Sequence, residues 1–228
     1  MMKSLRYPGE GSTLDIKNYP GVVALKRIDD PIARQLQALA LHFYDLGFCH
    51  DALVEVAKQL HRSKPRSKVR RRKCFLAKAL WISSIARYFK CFGGNRSRIK
   101  LSPSKVLKDC EDAERDFCYF QALRNKHIVH DENLFSQAFT GVVLRPRAAK
   151  PKVEGLLSVA FNKVIVDDDD LLRFMGLVEL TIAWVDAKRD ELSNNLMKKY
   201  EQWEYDDLIA LPDIPLTVPS RDQVMTTR

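Results

Sequence analysis

The chain has 228 residues, of which 46% are hydrophobic, 9% aromatic and 29% charged, a profile that excludes collagenous and wholly disordered chains and fits one globular core with short tails. Its 38 Lys and Arg against 29 Asp and Glu give a formal charge of +9, and its best apolar stretch, near Phe174 to Val185, is interrupted by Glu179, so no membrane-spanning helix is expected. The five cysteines (Cys49, Cys74, Cys91, Cys110, Cys118) contain no C-x-x-C pair, which points to reduced, mostly buried thiols and away from a disulfide framework or a Cys-rich zinc site.

Residues 1–30 hold Pro8, Gly9, Gly11, Pro20 and Gly21 without an apolar core of the kind an export signal needs, so they read as an arm, with a short strand at Val22 to Leu25 and the cytoplasm as the expected compartment. Asp29, Asp30 and Pro31 then form a helix start, because a carboxylate caps free amides and Pro at the first helical position gives up no hydrogen bond. Ile32, Leu36, Leu39, Phe43 and Leu46 follow on one helix face, and the pattern runs on to Leu60. Gly47 is its weakest point and leaves room for two shorter helices, since Gly costs about 1 kcal/mol relative to Ala in a helix. His42, His50 and His61 on this run are read as packing residues.

From Val56 through Lys108 there is no Asp or Glu, while 17 Lys and Arg fall there, leaving 21 basic and 29 acidic residues elsewhere. Such a stripe attracts a polyanion by releasing counterions. Its densest part, Arg62 to Lys73, reads as a loop, with Arg70, Arg71, Arg72 and Lys73 as nucleic-acid-binding candidates. Cys74 to Phe92 reads as a strongly apolar helix ended by Gly93 and Gly94. Ser102 and Pro103 start a further segment, and an aromatic-rich helix is expected from about Glu111 to His130. The period then changes: Gly141 to Leu144 and Gly155 to Val166 read as a β-hairpin, placed at about 139–166. Asp167 to Asp170 cap a long last helix reaching about Tyr200, and 206–228 form a Pro-containing tail. Trp81 and Trp184 are read as core anchors.

The segment Arg124-Asn125-Lys126-His127-Ile128-Val129-His130 interrupts the pattern of its helix. At about 100° per residue, Arg124 falls on the line of Phe117, Phe120 and Ile128, where an apolar side chain is expected, and it lies about 9 Å from His130 along the axis. An Arg on that line must be paired or face a partner. Chemically, a neutral His takes the proton of a ribose 2′-hydroxyl while an Arg fork holds the phosphate, so the pieces fit phosphodiester cleavage. A metal trio of His127, His130 and Asp131, with Cys110 or Cys118 as a fourth ligand, lacks the usual ligand spacing, so no metal is expected.

Arg124, a polar follower in Asn125, four further residues and then His130 together resemble the signature of the HEPN superfamily, in the context of its abortive-infection-type branch. The resemblance covers roughly residues 31–200 and is sharp only at the motif. It implies a mainly α-helical bundle over 31–205 with the hairpin inserted before the last long helix, and pairing of two copies so that their motifs share a cleft. It also implies a metal-independent endoribonuclease without a cofactor, acting on RNA as a toxin or phage-defence effector, with an antitoxin protein as a further partner. His130 would then be the general base, Arg124 the phosphate-binding group and Asn125 the residue that orients them. His127 lies outside the signature, and a helix-end hydrogen bond is its expected role. Some members of the superfamily only bind, so a non-catalytic module docking nucleic acid or an acidic partner is the alternative.

Overall fold

The computed structural model describes residues 24–61, 68–94, 98–108, 110–130, 132, 134–148, 150–162 and 167–214. Helices α1 (Pro31–His61), α2 (Lys68–Phe92), α3 (Pro103–Val106) and α4 (Glu111–Leu123) are followed by a single π-helical turn, Arg124–Val129. Strands β1 (Ser136–Leu144) and β2 (Val153–Asn162) come next, then α5 (Asp168–Tyr200) and a short α6 (Tyr205–Ala210). The architecture is therefore mainly helical with one small antiparallel sheet of two strands. Among the described residues no helix is long and apolar enough to cross a membrane.

Two compact units divide the chain. One takes in 1–44, 93–101 and 182–228, so residues 31–44 of α1 and 182–200 of α5 belong to it. Asp30 opens α1 as the sequence indicates, with Oδ1 accepting the Ile32 amide at 2.7 Å. Its other oxygen meets Lys199 Nζ near the end of α5 at 2.5 Å, so the cap also ties two helices. His42 is fully buried, its Nε2 bonded to the Ile99 carbonyl at 2.7 Å, a packing role. The expected tail is structured in part: α6 forms, and Lys26 and Asp213 make an isolated antiparallel bridge, supported by the Arg27 amide donating to the Pro212 carbonyl at 2.7 Å. Of the expected Val22 to Leu25 strand, 22–23 lie outside the described residues, and Ala24 and Leu25 are not in a strand. Trp184 is half-buried, a weaker anchor than its size implied.

The second unit comprises 45–92 and 102–181. Its centre is an aromatic cluster: the Trp81 ring of α2 stands edge-on to Phe120 of α4 at 5.9 Å and to Phe174 of α5 at 5.4 Å. Tyr88 joins it at 5.3 Å from Phe174 and donates to Thr181 Oγ1, whose own proton goes to the Leu177 carbonyl. Burial pushes the Tyr88 hydroxyl well above its ordinary range.

One open alternative closes and three expectations need correction. Gly47 does not divide α1, because Leu46 and Cys49 beside it are fully buried and their packing outweighs about 1 kcal/mol of propensity. The basic loop is shorter than read, since α2 starts at Lys68 and takes Arg70, Arg71, Arg72 and Lys73 into its first turns. The β1 strand starts at Ser136, earlier than its branched residues indicated, and 163–166 of the expected β2 lie outside the described residues. Finally, of the described cysteines Cys49 and Cys91 are buried but Cys110 and Cys118 are exposed. Burial raises the Cys49 thiol to about 12, which makes it inert.

Candidate active site

The motif does not continue the α-helix that precedes it. After Leu123 the bonding changes from i→i+4 to i→i+5 and Arg124–Val129 forms one π turn, a rare device frequent at functional sites. The buried residues are Phe117, Phe120, Leu123 and His127, spaced three, three and four apart, whereas Arg124 and Ile128, which the sequence placed on one line with Phe117 and Phe120, are half-buried. Arg124 thus stands at the border of the core.

The arrangement joins two of the three motif residues directly. Arg124 Nη1 donates to Asn125 Oδ1 at 2.9 Å, which anchors one arm of the guanidinium. Arg124 Nε is shielded from solvent and has no hydrogen-bond partner among the described residues. His130 leaves the π turn with extended backbone, φ −130° and ψ 145°, and its ring is exposed. No hydrogen bond joins His130 to Arg124 or Asn125 among the described residues. Lys126, between them in sequence, is exposed as well, and its carbonyl accepts the Glu132 amide at 3.0 Å, tying down the chain beyond the turn.

His127 behaves differently from its expected helix-end role. It is buried, 8% exposed, with its ring edge-on to Phe135 at 5.5 Å, and its Nδ1 has no hydrogen-bond partner among the described residues. Two shielded polar nitrogens without partners on one turn are unusual, because such groups are nearly always paired. Asp131 lies outside the described residues, and among the described ones no group of three or more His, Cys, Asp or Glu stands close enough to hold a metal ion.

A polar brace, missed in the sequence, fixes α4 just ahead of the motif. Arg173 on α5 donates to Asp116 Oδ1 from Nη2 at 2.6 Å and from Nε at 2.9 Å, while Tyr119 donates to Asp170 Oδ2 at 3.1 Å. The guanidinium also lies over the Tyr119 ring, 4.9 Å from its centre. Asp116 holds Arg173 further toward its charged form, whereas burial raises Asp170 and Tyr119. The four aspartates do cap α5, Asp167 Oδ1 accepting the Asp170 amide at 2.8 Å, but Asp170 turns to α4 instead of solvent. The Asp-x-x-Tyr spacing at 116 and 119 was the available signal, since i and i+3 share a helix face.

The basic stripe is partly neutralised in space. Asp45, buried and upstream of the acid-free stretch, lies 3.3 Å from Lys90 and 3.9 Å from Arg87, and Glu55, just before the stretch, lies 3.8 Å from Lys58. Helix α2 packs against the π turn, but the side chains of Arg70, Arg71, Arg72 and Lys73 fall outside the described residues. Compared with known proteins, the chain matches no family model, no curated protein and no solved structure.

Proposed function

We propose that the chain is a metal-independent endoribonuclease of the HEPN type, working as a homodimer on RNA, with Arg124, Asn125 and His130 as its reacting group. The observation that carries the reading is the π turn: it begins at Arg124, holds that guanidinium to Asn125, and releases His130 into solvent directly after its last residue. His130 takes the proton of a ribose 2′-hydroxyl, and the freed oxygen attacks the adjacent phosphorus. The remaining guanidinium donors of Arg124 bind the charge that grows on the phosphate. The 5′ oxygen leaves with a proton, giving a 2′,3′-cyclic phosphate and a 5′-hydroxyl end. In a paired cleft the second copy supplies the acid for that last transfer.

The rival reading, a helical module that docks nucleic acid or an acidic partner without cutting, is favoured by one feature, the lack of a hydrogen bond between His130 and Arg124. His130→Ala decides between them. As an exposed side chain it leaves the fold untouched, so cleavage is lost and RNA affinity stays within about twofold if the first reading holds. A variant that cuts as well as the parent contradicts it.

The basic stretch serves to hold RNA, through Arg70, Arg71, Arg72 and Lys73 on the first turns of α2. A toxin or phage-defence role, with an antitoxin protein as partner, follows from the resemblance alone. The cytoplasm is the compartment where such a substrate is met.

A further inference from the structure

The hairpin has an unusual surface for a chain that is 29% charged. Register pairs place Gln137 beside Phe161, Phe139 beside Val159, Gly141 beside Leu157 and Val143 beside Gly155, and alternation puts these four pairs on one face. That face holds no charged side chain. Its apolar members are exposed, Phe139 by 58%, Phe161 by 59% and Leu157 by 58%. An isolated two-stranded sheet is marginal in water, so an uncovered face of this kind needs a partner.

We infer that this face is a self-association surface whose occupant is a second copy of the same chain. The reason is its internal complementarity. Gly141 and Gly155 carry no side chain, and an added Cβ at either would meet no atom within 4 Å, so the face is low and open at these two positions, Gly141 lying two residues along the strand from Phe139. Let a second hairpin lie face to face with the first, strands reversed, about a twofold axis that runs perpendicular to the strands between the two sheets. Then β1 covers β1 and β2 covers β2. Phe139 meets Gly141 of the second copy, Phe161 meets its Gly155, and Val159 meets its Leu157. Each large side chain of the Phe pair faces a glycine, and symmetry repeats every contact, as an isologous interface requires.

The area fits a dimer of modest strength. Five apolar side chains at roughly 100 Å² each give about 500 Å² per copy, or about 1,000 Å² in all, the lower end of specific interfaces. The surface is argued from the hairpin alone: a chain that never associates also removes the paired cleft of the ribonuclease reading, whereas hairpin variants that lose association bear on this surface only.

Sedimentation equilibrium of the full chain, from about 1 to 500 µM, tests it, with half-association expected between about 1 and 100 µM. The mass should rise from 26.3 kDa towards twice that value. Phe139→Asp should weaken association at least about tenfold. Gly141→Phe is the sharper variant: its Cβ meets nothing within one copy, while its ring would collide with Phe139 of the other, so association also weakens about tenfold. Exchanging knob and hole in the double variant Phe139→Gly with Gly141→Phe should restore it to within about threefold. Far-UV circular dichroism checks that each variant keeps its helices. A chain that stays at 26.3 kDa throughout overturns the inference. So does tighter association by Gly141→Phe, which marks a merely sticky face, or a double variant that fails to recover.

Discussion

Replacing His127 by Leu separates a structural histidine from a reacting one. In the folded chain its Nδ1 is shielded and has no hydrogen-bond partner among the described residues, and removing such a group returns about 1–3 kcal/mol. The edge contact with Phe135 at 5.5 Å is lost, which takes back about 0.5–1.5 kcal/mol. The side chain is buried, and Leu is of similar size, so no large cavity opens. The variant is therefore expected to be as stable as the parent or up to about 2 kcal/mol more stable, a rise in Tm of up to roughly 6 °C at this chain length. Cleavage of RNA should stay within about threefold, because His127 faces the core while His130 faces solvent. Thermal unfolding by circular dichroism and a cleavage time course read the two effects. A fall in Tm of more than about 4 °C refutes the reasoning on stability, and a hundredfold loss of cleavage makes His127 a second acid or base.

Three further outcomes follow from the same geometry. Lys199 and the Ile32 amide hold the Asp30 carboxyl below its ordinary value of 3.8, so the fold prefers the ionised form; the resulting stability is complete above that pH and is lost as pH falls through the depressed value. Lys199→Met should flatten acid unfolding below about pH 4, and an unchanged acid profile contradicts the pairing. Trp81→Ala, at the centre of the aromatic cluster, should cost about 3–5 kcal/mol in urea unfolding, against about 1 kcal/mol for Tyr88→Phe, which loses only the bond to Thr181; equal costs would show that the cluster is not the centre of packing. Changing Arg70, Arg71, Arg72 and Lys73 together to Gln should weaken RNA binding and lower the slope of log affinity against log salt by about 3, as four lost phosphate contacts would; an unchanged slope removes the proposed role of that segment.

Much of the helical framework was legible because local chemistry and packing agree. Asp30 with Pro31 marks the start of α1, and Asp167 caps α5, both as the side-chain bonds now show. The hairpin was legible from its branched residues, though not its full β1, since Ser136, Gln137 and Ala138 carry little strand preference. The π turn was not legible, because one i→i+5 turn leaves no repeat in sequence, and the line drawn through Arg124 passed beside the buried Leu123 and His127. Nor was the brace of Asp116 and Tyr119 with Asp170 and Arg173, whose bonded partners lie more than fifty residues apart. Asp45 shows the same limit: a stripe counted along the chain as free of acids is met in space by an acid from upstream of it.

The most direct measurement is incubation of purified parent, Arg124→Ala and His130→Ala with mixed RNA in EDTA, with analysis of the product ends. Cutting by the parent alone, leaving 2′,3′-cyclic phosphates, is the predicted result. Intact RNA with all three proteins, or equal cutting by all three, contradicts the assignment of Arg124 and His130 as the reacting pair.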